Sequence, residues 1–280
     1  MEFFPDGQIH RKLARICFEY LGDPFQPFVY GQLALPMRTA KDFGIGLVMY
    51  GENGEAEYGG DPSANDRPQW DTAHWDRIYT KGSGIDKIWE IGKSIGALDG
   101  EPSEAYTLPK DISSHAEFHW LGYYLKWHPQ KNYYHASEHT GFEANPDGRS
   151  EGTYSKYASL DDKLDGLHYY MGHIKFGIGR ATSDAAHEIR DGEIDREEGV
   201  ALVRRYDGEF PVKHLDDCLD YLGMDREYLK VVIDRFRPEH IWENLDEDGW
   251  RLKYGVWRVE KTPDRQIGHK VAQSGQDCAA

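Results

Sequence analysis

Residues 45 to 50 read IGLVMY, an apolar run with too little polar alternation for a half-exposed strand. It is expected to form a strand covered on both faces. Upstream, Ile9, Leu13, Ile16, Cys17, Tyr20 and Leu21 keep helical spacing until Gly22 stops it. A second helical stretch runs from about Gly31 to Phe43, and Pro36 inside it predicts a kink or a late start near Leu35. Helix, turn and buried strand in that order are one half of an α/β unit, in which ligands collect where loops leave the carboxyl ends of the strands. At that point the run breaks into GENGEAEYGG, with Glu52, Asn53, Glu55 and Glu57 crowded behind Gly51. Like charges this close repel, unless the loop is well solvated or a cation sits among them. A wet turn and a ligand site are both open readings of these facts.

Further along, helical signal falls at about 72 to 80 and 85 to 97, and EFHWLGYYLKW (117 to 127) alternates as an aromatic strand. From residue 129 the chain turns mostly helical, with Pro129 at a first helical position. Ser159, with Asp162 three residues on, is expected to cap a long helix bearing Leu160, Leu164, Leu167, Met171, Ile174 and Ile178 on one side. Ser183, Asp195 with Glu198, and Asp225 predict three further helix starts, and Gly192 and Gly223 two stops. WRLKYGVW (250 to 257) reads as a last strand or hairpin arm, and the tail beyond is polar. The predicted organisation is an α/β part over 1–128, a mostly helical part over 129–257 and a loose tail over 258–280.

The 280 residues suffice for one large core, burying roughly 75% of the unfolded surface. With 33 basic against 49 acidic residues the net charge is −16, a field that disfavours nucleic acid and anionic membrane surfaces. No apolar run has the length of a membrane span. Cys17, Cys218 and Cys278 are widely scattered and form no C-x-x-C, which fits a reducing cytoplasm and argues against structural zinc.

Among thirteen histidines, His135 and His139 stand four apart around Glu138 without an indicated third ligand, so a paired, non-metal role is the better reading. IKFGIGRATSD (174 to 184) sets Lys175 and Arg180 on either side of Gly177 and Gly179 before a new helix. That is either a local anion pocket or a helix end whose cations complement the dipole. Trp120 and Trp127 read as core more than as sugar platforms.

HRKLARICFEYLGDPFQPFVYGQ, YGENGEAEYGG, TGFEANPDGRSEGTYSKYASLDDKLDGLHYYM, IKFGIGRATSDAAHEIRDGEIDREEGVALVRRYDGEFP and FRPEHIW together resemble the N-acetyl sugar amidotransferase family of bacterial surface-polysaccharide biosynthesis. The resemblance runs from about residue 5 to 257. It implies an incomplete Rossmann-like sheet of the PP-loop ATP pyrophosphatases, with ATP and Mg. It also implies conversion of an acetamido group on an N-acetyl sugar to an acetamidino group, with ammonia from a glutaminase and cyclase-like pair. Carried onto this sequence, Glu52, Asn53, Glu55 and Glu57 would serve the nucleotide or ammonia, with Gly51 and Glu55 at the cofactor and Mg at Glu55 and Glu57. Lys175 and Arg180 would stabilise phosphate charge. Tyr30, Gln32, Glu143, Asn145 and Lys156 would read the sugar.

The S-G-G-x-D-S phosphate loop of that family and its N-terminal cysteine cluster do not occur in these residues. The chain is therefore expected to correspond to the C-terminal two thirds, a fragment or one half of a split enzyme completed by an upstream PP-loop half. A noncatalytic subunit that completes a separate ATP-binding polypeptide is the competing reading. A metal-dependent hydrolase is a third.

Overall fold

The computed structural model describes residues 4–51, 67–69, 80, 82–109, 115–246 and 249–258. Helix α1 (Gly7–Leu21) starts where the Asp6 carboxylate accepts from the amides of Gln8 and Ile9, and stops at Gly22 in the left-handed region. Helix α2 (Gln26–Phe43) begins earlier than its periodicity suggests, because Pro27 occupies its first turn, and it carries Pro36 in its interior. Strand β1 (Leu47–Tyr50) pairs in parallel with β2 (Glu117–Trp120), in the register Leu47 to Glu117 and Tyr50 to Trp120. Between them lies α3 (Ile85–Ser94).

Two expectations change here. Strand β1 is not covered on both faces: Val48 and Tyr50 pack inward with Phe118 and Trp120, while Leu47 and Met49 are 47% and 46% exposed. Its apolar composition hid an ordinary alternation. The predicted strand over 117–127 ends at Trp120 and turns into a single helical turn, α4 (Leu121–Tyr124).

The second part is helical, as its spacing predicts: α5 (Pro129–Thr140), α6 (Asp165–Phe176), α7 (Arg180–Asp191), α8 (Arg196–Tyr206), α9 (Leu215–Leu222) and α10 (Arg226–Arg235). A short antiparallel pair follows, β3 (Trp242–Asn244) with β4 (Trp250–Leu252). Pro129, Asp225, Gly192 and Gly223 hold their predicted boundary positions, and Asp195 with Glu198 closes a reciprocal capping box. Two starts move. Ser159 does not open α6; its backbone lies at φ 60°, and Asp162 accepts from the Leu164 amide just before the helix. Helix α7 begins at Arg180 rather than after Ser183, because Asp207 accepts from the amides of Gly179 and Thr182 and from the Thr182 hydroxyl.

The chain is thus mixed α/β and mostly helical, with ten α-helices and only short strands among the described residues. Helix α1 belongs to two cores. Leu13, Ile16 and Cys17 pack with Tyr30, Ile88 and Trp89, whereas Ala14 and Phe18 pack with Met171, Val232, Trp242 and Leu252. No helix among the described residues is long and apolar enough to cross a membrane.

Candidate functional site

The segment joining α5 to α6 has little regular structure, and polar bonds fix it in place. Asn145 donates its amide to the Lys156 carbonyl at 2.8 Å and accepts from the Asp147 amide at 2.9 Å, which closes one turn. Arg149 forks onto Glu209 at 2.5 and 2.6 Å and lies over the Tyr206 ring at 4.5 Å. Burial works against the Glu209 charge, yet the Arg149 fork and the Gly152 amide hold its carboxyl below the ordinary range. Glu151 accepts from the amides of Val212 and Lys213 at 3.1 and 2.8 Å. The loop is therefore tied to the segment between α8 and α9.

Between these loops lies an open cavity of about 460 Å³. Its lining includes Glu143, Asn145, Asp147, Glu151, Asp161, Asp162, Lys163 and Lys213, together with His214 and Cys218. Asp162 is pushed above the ordinary carboxylate range by burial. So is Asp165 at its back, which accepts from the Ser159 hydroxyl at 2.7 Å. Burial and the neighbouring carboxylates push the Cys218 thiol up to about 11, so it is no nucleophile near neutral pH. Lys163 is drawn to Asp217 at 2.9 Å.

Such a lining has many acceptors, apolar groups at Pro146, Leu160 and Pro211, and cations confined to Lys163 and Lys213. Carboxylates and amide oxygens suit a ligand rich in hydroxyl and N–H donors, and the two lysines suit an anionic substituent on it.

The residues singled out from the sequence are dispersed. Glu143 and Asn145 face the cavity, and Lys156 is exposed with its carbonyl on Asn145. Tyr30 is buried and donates its hydroxyl to the Ser83 carbonyl, a packing role, while Gln32 is exposed and its carbonyl accepts from Tyr50 at 2.9 Å. Gly51 ends β1 in the open; Glu52, Asn53, Glu55 and Glu57 lie outside the described residues. Lys175 donates to the Leu21 carbonyl at 3.2 Å, whereas Arg180 pairs with Asp184 at 2.9 Å and lies over Tyr169. The glycine-rich break between them does not fit a phosphate, since Asp207 already holds the amides at the start of α7. His135 and His139 lie ring to ring at 4.4 Å, and no group of three or more His, Cys, Asp or Glu is placed to hold a metal among the described residues. Trp120 is buried in the core.

Sequence reasoning passed over Glu151, Asp161 and Lys213, and took Asp162 for a helix cap. The run SLDDK held the signal: two adjacent acidic residues at a helix entry exceed what one cap requires.

Residues 151–256 match the family described as LPS biosynthesis protein WbpG-like, C-terminal domain. The matched stretch supplies the cavity lining from Glu151 through Cys218. The resemblance drawn from the motifs stands over this stretch. No curated protein matches the chain significantly.

Proposed function

We propose that this chain acts in bacterial surface-polysaccharide biosynthesis, in the ATP-dependent conversion of an acetamido group on an N-acetyl sugar to an acetamidino group. The observation that carries the reading is the WbpG-like match over residues 151–256, which supply the cavity lining from Glu151 to Cys218. The lining supports it further. Asn145 and the carboxylates of Glu143, Glu151 and Asp162 accept from sugar hydroxyls and from an acetamido N–H, and Lys163 and Lys213 meet an anionic substituent.

An amide is a poor electrophile, so the carbonyl oxygen is first activated. It attacks the α-phosphorus of ATP, and pyrophosphate leaves. Ammonia then adds to the imidate carbon, the bond from carbon to the adenylyl oxygen breaks, and AMP departs with the former amide oxygen. Loss of one proton leaves the product as the amidinium cation. The chain's own contribution is to bind and orient the sugar. Glu55 and Glu57 lie outside the described residues, so no step is assigned to Mg.

The test is an amidination assay with ammonium, ATP and nucleotide-linked N-acetyl sugars. It is run on the chain alone and with a PP-loop polypeptide and a glutaminase and cyclase-like pair. AMP release together with a sugar whose acetamido oxygen is replaced by nitrogen is the expected result, reduced at least tenfold in Asn145→Ala. Absence of both products under every combination overturns the reading.

A further inference from the structure

A second, much smaller space lies on the other side of the same loop. It is bounded by His128 at the start of α5, by Tyr154, Ser155 and Tyr157, and by one face of α7, with a volume of about 20 Å³. That is room for one water-sized molecule. Arg180, Asp184 and Glu188 succeed one another at four-residue spacing, so all three side chains share the face that closes it.

The charges around this space do not balance. Arg180 is held by Asp184 at 2.9 Å, Lys126 by Asp191 at 2.7 Å, and the His128 ring by Glu193 at 3.0 Å. Among the described residues no lysine or arginine pairs with Glu188. Its carboxyl, like that of Asp184, is raised above the ordinary range by burial. Two polar atoms are also left over. The Ser155 hydroxyl is shielded from solvent without a hydrogen-bond partner, and the Tyr154 hydroxyl stands beside Glu188 without a well-formed bond to it. Buried hydroxyls of this kind ordinarily have partners.

We propose that this space binds one small cation that donates hydrogen bonds, and that ammonium is the species it fits. The acceptors are the Glu188 carboxylate and the hydroxyls of Ser155 and Tyr154. Charge favours a cation over water. Few oxygens in a one-molecule space favour a tetrahedral donor over an alkali ion, which asks for a larger oxygen shell, and no three-ligand set for a divalent ion exists among the described residues. The meaning of the site for catalysis, a store of ammonia within the same loop system as the sugar cavity, rests on the proposed amidination. The binding itself does not.

The experiment is a thermal-unfolding titration of the full chain with ammonium chloride, matched in ionic strength by potassium and sodium chloride. Nitrogen-15 ammonium NMR provides the direct readout. A saturable rise in Tm specific to ammonium is expected, with half-saturation about tenfold or more weaker in Glu188→Gln and in Ser155→Ala. The surface control Glu227→Gln leaves it unchanged. What is read is the ammonium response of each variant, so a shift in baseline stability does not obscure it. An equal response to potassium, no saturable response, or a response that survives Glu188→Gln overturns the site. Ammonium binding without amidination leaves the site standing and removes the reaction; amidination without ammonium binding does the reverse.

Discussion

Ser159 shows how a single residue can conflict with its own backbone and still be retained. A side chain at φ 60° meets its own carbonyl environment at a cost of roughly 1–2 kcal/mol, and its hydroxyl recovers part of this by donating to Asp165. Ser159→Ala loses the bond and keeps the strain, while Ser159→Gly loses the bond and relieves it. Urea denaturation should therefore find the glycine variant the more stable of the two by about 1 kcal/mol; equal stabilities would show that no strain is held there. Asp165 itself gives a pH signature. Burial raises its pKa in the folded chain, so the native state binds more protons than the unfolded one between the ordinary aspartate value and the raised one. Its contribution to stability is then lost as pH rises through that window, and Asp162, Asp184 and Glu188 are shifted in the same direction. Urea midpoints should fall as pH rises above the ordinary carboxylate range, with a shallower slope in Asp165→Asn; an unchanged slope would count against a raised Asp165. None of this was legible in the sequence, where Ser159 and Asp162 matched a capping box. The φ value depends on how residues 150 to 165 are tied down, which local spacing does not encode.

Among the helices, those whose ends are set by near neighbours were readable and those set by distant ones were not. Asp195 and Glu198 cap each other, Asp225 caps α10 and Gly22 ends α1, all within a few positions. Helix α7 differs, because its first amides go to Asp207, 28 residues ahead of Gly179. Asp207→Ala leaves those amides without a partner and should cost about 1–3 kcal/mol in urea denaturation, with Asp207→Asn recovering part of it through one remaining carbonyl oxygen. A loss below about 0.5 kcal/mol would mean that water replaces the carboxylate fully. The same bond explains why the glycine-rich break, for which the sequence allows an anion pocket, is filled by the protein's own carboxylate. The strands fared similarly: their existence at 47–50 and 117–120 was legible, but Leu47 and Met49 facing outward was not, since an all-apolar run conceals which side is buried.

For the molecule as a whole, the division near residue 128 was drawn from a change of periodicity, and the packing adds what periodicity omits. Helix α1 gives one face to Ile88 and Trp89 and the other to Met171, Val232 and Trp242. Phe18 is fully buried on the second face, so Phe18→Ala should cost about 3–5 kcal/mol. Hydrogen-exchange protection should then weaken in α10 and β3 as well as in α1. Loss of protection confined to residues before 128 would show that the two cores are energetically separate. The candidate cavity was half legible in the same sense: Glu143 and Asn145 were found, while the walls supplied by Asp161, Glu151 and Lys213 depend on loops meeting across some 60 residues of chain. The shared helix also has a temporal consequence. Helix α1 leaves the ribosome well before Trp242 and Leu252, and Phe18 cannot complete its packing until they have emerged, so the helix keeps an unburied apolar flank while the residues between are made. Nascent chains shortened before residue 242 should therefore engage chaperones at that flank, and release from them should coincide with the arrival of the β3 and β4 hairpin.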